Sequence, residues 1–160
     1  HGATFFVYLP ISTRPAEKTD YKDQSVIHGS GCILVVDDDP AVLEISSKML
    51  SKLGFRVLEA CSGHDALSLF RQNRDMVDLV LLDMIMPDIG GGEVYERMKD
   101  IDHNVKAILA TGYSLDGEAS RILKKGCDGV IQKPFSIDRL SRVIYRVLKP
   151  HGAPQERIAN

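Results

Sequence analysis

A buried strand and the start of a helix are encoded together in residues 33–40, which read Ile33-Leu34-Val35-Val36-Asp37-Asp38-Asp39-Pro40. A short apolar run bounded by polar residues is typical of a parallel strand covered on both faces of its sheet. Pro40 suits the first position of a helix, and Asp39 suits the capping position before it. The stretch therefore predicts a strand that leads through an acidic loop directly into a helix.

The same alternation of apolar runs and amphipathic segments continues to residue 149. Four further runs resemble strands, at residues 55–58, 79–82, 105–110 and 129–131. Helical patterns separate these runs. In the first, Val42, Ile45, Met49 and Leu53 recur at spacings of three and four, and Gly54 ends the helix. Weaker helical patterns cover residues 63–72, 92–101, 116–125 and 136–148. These five β-α units predict an α/β fold, a doubly wound five-stranded parallel sheet with five helices over residues 31–149.

Composition excludes several classes of function. The 160 residues are 44% hydrophobic and 26% charged, and 20 Lys and Arg against 22 Asp and Glu give a net charge of −2. We therefore expect a globular protein with no nucleic-acid partner. Three distant cysteines suggest neither a disulfide framework nor a zinc site and fit a cytoplasmic location. No apolar run approaches the length of a membrane span, so we expect no membrane contact by this chain. If the chain is part of a larger protein, any membrane attachment belongs to another part of that protein.

Polar residues follow the predicted strands at the edge where open α/β sheets bind ligands. They are Asp37, Asp38, Asp83, Thr111 and Lys133. If the first and third strands are neighbours, their aspartates converge and repel one another, so the cluster either takes up protons or recruits a cation. We expect a divalent cation, and a site with few oxygen ligands suits Mg²⁺. A threonine and a lysine beside a cation require an anion, and a phosphoryl group supplies it. Asp83 is then the candidate nucleophile, forming an acyl phosphate.

Each of these residues also has a simpler interpretation when taken alone. An aspartate before a helix is usually its cap, which is our interpretation of Asp39. Thr111 by itself suits a turn, and Lys133 by itself suits a solvated surface. Their joint placement after successive strands favours the functional interpretation.

Four segments of the chain resemble the receiver domain of two-component response regulators. They are residues 33–40, 83–91 (Asp83-Met84-Ile85-Met86-Pro87-Asp88-Ile89-Gly90-Gly91), 110–113 (Ala110-Thr111-Gly112-Tyr113) and 132–135 (Gln132-Lys133-Pro134-Phe135). The resemblance implies the flavodoxin-like strand order 2-1-3-4-5.

The resemblance to receiver domains also implies roles for the site residues. It implies that Asp83 accepts a phosphoryl group from a phosphohistidine. It also implies that Asp38, Asp83 and the carbonyl of Ile85 bind Mg²⁺ directly, with Asp37 helping through water. Thr111 and Lys133 would contact the phosphoryl oxygens, and the Lys133-Pro134 bond would be cis.

Two departures from the family pattern concern mechanism. Val130 occupies the position where an aromatic residue often moves inward on phosphorylation, so aromatic switching from that site is not expected. The side chain of Ile85 cannot hydrogen-bond a hydrolytic water, and Tyr113 is bulky. These two positions lead to the hypothesis of slow self-dephosphorylation.

The first residues carry a second, shorter resemblance. Residues 2–10, Gly2-Ala3-Thr4-Phe5-Phe6-Val7-Tyr8-Leu9-Pro10, are similar to the last strand of the ATP-binding domain of sensor histidine kinases. This resemblance implies that residues 1–13 are a kinase remnant. The residue pattern predicts a strand over 4–9, a linker over 14–30 ahead of the receiver at 31–149, and a tail over 150–160. The parent would be a hybrid histidine kinase whose ATP site lies outside this chain. We interpret His64 as an exposed helix residue and not as a phosphoacceptor.

The leading interpretation is a receiver that catalyses its own phosphorylation and dephosphorylation. Its expected partner is a histidine kinase phosphohistidine domain or a histidine phosphotransfer protein, and a weak homodimer is a further assembly to consider. One alternative is a haloacid-dehalogenase-like phosphohydrolase with Asp37 as nucleophile and Asp39 as acid or base, although Ala41 departs from that family's pattern. The other is a protein-interaction module that is never phosphorylated.

Overall fold

Five parallel strands form one sheet in a computed structural model that describes residues 3, 4, 6, 8, 26–112, 122, 123 and 126–149. The strands are β1 (Cys32–Val36), β2 (Arg56–Ala60), β3 (Leu79–Asp83), β4 (Ala107–Thr111) and β5 (Gly129–Gln132). Their order in the sheet is β2-β1-β3-β4-β5, as the resemblance to receiver domains implied. The described helices are α1 (Pro40–Lys52), α2 (Gly63–Asn73), α3 (Gly91–Ile101) and α4 (Ile137–Leu148).

Strand and helix boundaries largely follow the sequence pattern. The strand predicted at 55–58 is Arg56–Ala60 in the structure. Strand β2 is a partly exposed edge strand that includes the charged Glu59, so the apolar run ends before the strand does. The strand predicted at 105–110 is Ala107–Thr111. The helix predicted at 116–125 lies outside the described residues except for 122 and 123, which are helical.

Helix α1 begins and ends as predicted. The Asp39 side chain accepts a hydrogen bond from the N–H of Ala41 at 2.8 Å, and Pro40 occupies the first helical position. Gly54 follows the helix with a φ of 97°, a left-handed conformation that favours glycine. A Cβ there would lie 2.5 Å from the carbonyl oxygen of Gly29, so the residue must also be small.

The apolar face predicted for α1 is wrong in part. The buried residues of this helix are Leu43, Ser46, Ser47 and Leu50. Leu53 is buried as expected, but Ile45 is 54% exposed, and Val42 and Met49 are half-buried. Ser46 and Ser47 lie on the face of α1 that contacts the sheet, where they interrupt the apolar pattern. The apolar periodicity therefore predicted a buried face that is rotated toward solvent relative to the real one.

The core lies on both faces of the sheet. One cluster packs α2 and α3 against the sheet around Phe70, Tyr95 and Met98. The other packs α1 and α4 against the opposite face around Leu50 and Ile144. Burial on both faces explains why β1, β3 and β4 are buried along their whole length.

Residues 26–30 pack onto the sheet and helices at the end away from the strand carboxyl ends. The N–H of Gly29 donates to the carbonyl of Leu53 at 2.9 Å, and the N–H of Ile27 donates to Ser141 Oγ at 3.3 Å. Of the strand predicted at 4–9, residues 4, 6 and 8 are described and none is in a strand; the rest lies outside the described residues, as do 14–25 and 150–160. No helix among the described residues is long and apolar enough to cross a membrane.

Candidate functional site

Three aspartates converge at the carboxyl ends of the central strands. Asp37 directly follows β1, and Asp83 is the last residue of β3, the neighbour of β1 in the sheet. One carboxylate oxygen each from Asp37, Asp38 and Asp83 lies within 4.8 Å of the others. The predicted convergence of these residues is therefore present, with Asp37 and Asp83 buried and Asp38 exposed.

Lys133 joins this cluster from the loop after β5. Its Nζ lies 2.5 Å from Asp37 Oδ2 and 2.9 Å from Asp83 Oδ1. The backbone of Lys133 is fixed by donation of its N–H to the carbonyl of Thr111 at 2.7 Å, and its bond to Pro134 is cis, as the resemblance implied. One ammonium group thus bridges carboxylates from two different strands.

Burial and this ion pair shift the proton affinities in the cluster. Burial raises the pKa of Asp83, and the hydrogen bond from Lys133 offsets this effect only in part. Burial would lower the pKa of Lys133, but its hydrogen bonds to Asp37 and Asp83 outweigh that effect and raise it. The cluster therefore holds a charged lysine beside a carboxylate that is more easily protonated than usual.

The other candidate residues lie around the same edge of the sheet. Thr111 ends β4 and is buried; it pairs with Gln132 in the sheet register, immediately before Lys133. Ile85 lies two residues after Asp83, and its side chain is 60% exposed. Tyr113 lies outside the described residues.

The loop between β3 and α3 includes a contact that the sequence did not reveal. Asp88 accepts hydrogen bonds from the backbone of Gly63 and His64, at the start of α2. His64 is exposed, as predicted, but its ring also lies 2.9 Å from Asp88. Because 24 residues separate this pair, no local pattern could have identified it.

The donor set fits a hard divalent cation. Three carboxylates crowded within 4.8 Å repel one another, and oxygen ligands with positions left open for water are those that Mg²⁺ prefers. Lys133 adds a positive charge at the same place, so an anion bound beside the cation would be neutralised from two sides. This combination is suited to phosphoryl transfer to a carboxylate.

The fold and this acidic site together define a phosphoacceptor module. The sequence profile of the response regulator receiver domain matches residues 33–145. The chain belongs to the response regulator receiver domain family, whose members act as phosphoacceptors in two-component signalling.

Individual relatives agree with the family assignment. The chain is 34% identical over 119 residues to sporulation initiation phosphotransferase F of Bacillus subtilis, covering 72% of this chain and 92% of that protein. It is 29% identical over 157 residues to the sensor kinase CckA of Brucella abortus, covering 92% of this chain but 17% of the kinase. A crystal structure of a response regulator receiver domain protein from Clostridium thermocellum superposes with a TM-score of 0.71 at 30% identity, covering 74% of this chain and 94% of that one.

Proposed function

We propose that Asp83 is the phosphoacceptor of this receiver. A carboxylate oxygen of Asp83 attacks the phosphorus of a phosphohistidine, the N–P bond breaks, and its electron pair leaves with the imidazole. The observation that carries this assignment is the placement of Asp83 at the end of the central strand β3, in contact with both the acidic cluster and Lys133.

Asp37 is less suited to this role, which the hydrolase alternative requires. Its Oδ1 accepts the N–H of Asp39 at 3.1 Å, and its Oδ2 pairs with Lys133. Both oxygens are thus engaged, and the side chain is 6% exposed. Asp39 caps α1 by accepting the N–H of Ala41, and it is not one of the three clustered aspartates. It is therefore poorly placed to act as an acid or base.

Mg²⁺ would be held by Asp38, Asp83 and the main-chain carbonyl of Ile85, with Asp37 acting through water. When bound, the ion would neutralise charge on the phosphoryl oxygens as the acyl phosphate forms. Asp38 is the exposed member of the cluster. Asp83 would use one carboxylate oxygen for the ion and the other to attack phosphorus.

Lys133 and Thr111 would also stabilise the phosphoryl group. Lys133 already lies 2.9 Å from Asp83 Oδ1, so a phosphoryl group on Asp83 comes within reach of its ammonium. Thr111 supplies a hydroxyl from the neighbouring strand β4. Both groups interact more strongly with a phosphoryl dianion than with a lone carboxylate.

The phosphodonor would dock beside this site on an apolar groove next to α1. The groove is lined by Val42, Ile45, Met49, Pro134 and Phe135 and also by Lys133. Because this groove is continuous with Lys133, a phosphohistidine domain bound in it would lie next to Asp83, and the exposed Ile45 would offer it an apolar contact. The donor would be a histidine kinase domain or a histidine phosphotransfer protein.

The parent protein would be a hybrid histidine kinase. The alignment with CckA spans 92% of this chain and so extends through residues before the receiver. The similarity of residues 2–10 to the last strand of a kinase ATP-binding domain supports the same arrangement.

Phosphorylation by acetyl phosphate tests the assignment of Asp83. With Mg²⁺, the wild-type chain should gain one phosphoryl group, and Asp83→Asn should gain none. Asp39→Asn is the matched control, because asparagine caps a helix as well as aspartate and Asp39 is outside the cluster. Beryllofluoride bound at Asp37 in a crystal structure would instead support the hydrolase, and an unlabelled wild-type chain would support an interaction module.

Replacement of Ile45 by serine tests the docking groove. The variant should receive phosphoryl groups at least tenfold more slowly from a histidine phosphotransfer domain that phosphorylates the wild-type chain. Its rate with acetyl phosphate should be unchanged, because Ile45 belongs to no part of the acidic cluster. Equal slowing with both donors would contradict the docking proposal.

A further inference from the structure

The first turn of α2 is capped by two side chains, and one of them comes from a distant loop. Ser62 Oγ accepts the N–H of Asp65 at 3.1 Å, as a local N-cap does. The N–H groups of Gly63 and His64 donate instead to the carboxylate of Asp88, at 3.2 and 3.0 Å. Since the first N–H groups of a helix lack partners within it, Asp88 satisfies two of them and ties its loop to α2.

The His64 side chain adds a third contact to the same carboxylate. His64 Nδ1 lies 2.9 Å from Asp88 Oδ2. Burial acts to raise the pKa of Asp88, but hydrogen bonds from the backbone of Ile89 and His64, from the His64 ring and from the backbone of Gly63 hold it well below its usual range. Asp88 is therefore an anion placed at the positive end of the α2 dipole.

Apolar packing reinforces this connection. A Cβ on Gly63 would lie 2.4 Å from Ile89 Cγ1 and 2.7 Å from Val94 Cγ2. Ile89, the loop residue after Asp88, thus packs against the start of α2 so closely that a side chain at position 63 would displace it. Polar and apolar contacts together fix the loop against the helix.

The other end of the loop is anchored to the sheet. The N–H of Met84 donates to the carbonyl of Ala110, and the N–H of Gly91 donates to the carbonyl of Met84, both at 3.0 Å. Met84 and Met86 are buried on either side of Ile85. Ile85 therefore lies between an anchor on β4 and the Asp88 anchor on α2.

We propose that Asp88 is a positioning residue that holds the carbonyl of Ile85 in place for Mg²⁺ by capping α2 from the loop between β3 and α3. This inference rests on the proposed metal site, in which Ile85 supplies a main-chain ligand. Groups that orient the ligands of a metal site commonly change metal affinity about 10- to 100-fold when they are removed.

Calorimetric titration with Mg²⁺ and amide hydrogen exchange in the metal-free protein test the proposal together. In Asp88→Ala the dissociation constant for Mg²⁺ should rise about tenfold. The amides of Gly63 and His64, and those of the loop, should lose exchange protection. Asp88→Asn retains one acceptor oxygen and should give intermediate results, and it replaces the alanine variant should that fail to fold.

Ser62→Ala is the matched control, because it removes a cap from the same helix end without detaching the loop. It should expose the amide of Asp65 and leave the Mg²⁺ dissociation constant within twofold of wild type. A merely stabilising role for Asp88 would make the two variants alike in Mg²⁺ affinity and would overturn the proposal, as would unchanged protection of Gly63 and His64 in Asp88→Ala. A wild-type chain that does not bind Mg²⁺ would overturn the proposed metal site, while the exchange data would still decide whether Asp88 anchors the loop.

Discussion

Replacing Asp83 by asparagine should abolish phosphorylation and also make the metal-free protein more stable. At an effective dielectric constant of about 20, two carboxylate oxygens at 4.8 Å, the largest separation within this cluster, repel by about 3.5 kcal/mol. Asp83 has two such neighbours, Asp37 and Asp38, although solvent around the exposed Asp38 screens part of the repulsion.

The ion pair with Lys133 opposes this repulsion. At 2.9 Å it contributes an attraction of about 6 kcal/mol on the same scale. The two electrostatic effects nearly cancel, so the cost of burying the Asp83 carboxylate decides the sign, in agreement with its raised pKa. We expect Asp83→Asn to increase the free energy of unfolding without Mg²⁺ by about 1 kcal/mol.

The dependence on pH follows from the direction of that shift. Because the pKa of Asp83 is raised by folding, the native state binds the proton more tightly than the unfolded state does. The wild-type protein therefore loses stability as the pH rises through the raised pKa. The advantage of Asp83→Asn should be present at neutral pH and disappear in acid, where the wild-type carboxyl is protonated.

Mg²⁺ should reverse the order of stability. At a concentration of 100 times its dissociation constant, a ligand stabilises the native state by about 2.7 kcal/mol. Asp83→Asn lacks one charged ligand and should gain much less. Urea denaturation in EDTA and in Mg²⁺, with Asp39→Asn as control, measures both effects. A variant less stable than wild type in EDTA, or one stabilised equally by Mg²⁺, would refute the reasoning.

Three further substitutions, one of them with a matched control, have expected outcomes. Gly91→Ala should lower the free energy of unfolding by about 1–3 kcal/mol in urea denaturation, because its Cβ would lie 2.1 Å from the carbonyl oxygen of Asp83. Gly90→Ala, whose nearest such contact is 3.6 Å, should be nearly neutral, and equal losses would argue against this explanation. Tyr95→Phe should gain about 1 kcal/mol in the same assay, because the buried Tyr95 hydroxyl has no hydrogen-bond partner in the described part of the chain; a loss would contradict it. Ile85→Asn should shorten the lifetime of the radiolabelled acyl phosphate by adding a side chain that can orient water, and an already short wild-type lifetime would contradict slow self-dephosphorylation.

Local chemistry explains why much of the fold was predictable. The strands are short apolar runs because both faces of a parallel sheet are covered, and Asp39 and Pro40 mark the helix start through hydrogen bonding and a fixed φ. The face of α1 was predicted incorrectly because Ser46 and Ser47 are buried while Ile45 is exposed. A helix face is predicted from the spacing of apolar residues, and that spacing cannot identify a small polar residue that packs against the sheet.

The acidic cluster was predictable for a different reason. Strand ends meet at one edge of a parallel sheet, so a sequence that places aspartates after two strands constrains their position once those strands are neighbours. The bridging of Asp37 and Asp83 by Lys133 required the tertiary structure, because it depends on the distances between side chains of three strand ends.

The alternation of strands and helices, the cap of α1 and the residues available for chemistry at the strand ends could all be predicted from the sequence. Each of these features depends on neighbours within a few positions along the chain. Tertiary structure decided which face of α1 is buried, how one lysine divides its charge between two aspartates, and that Asp88 caps a helix beginning 25 residues earlier. These features arise from contacts between segments distant in sequence, where no local periodicity records the partner.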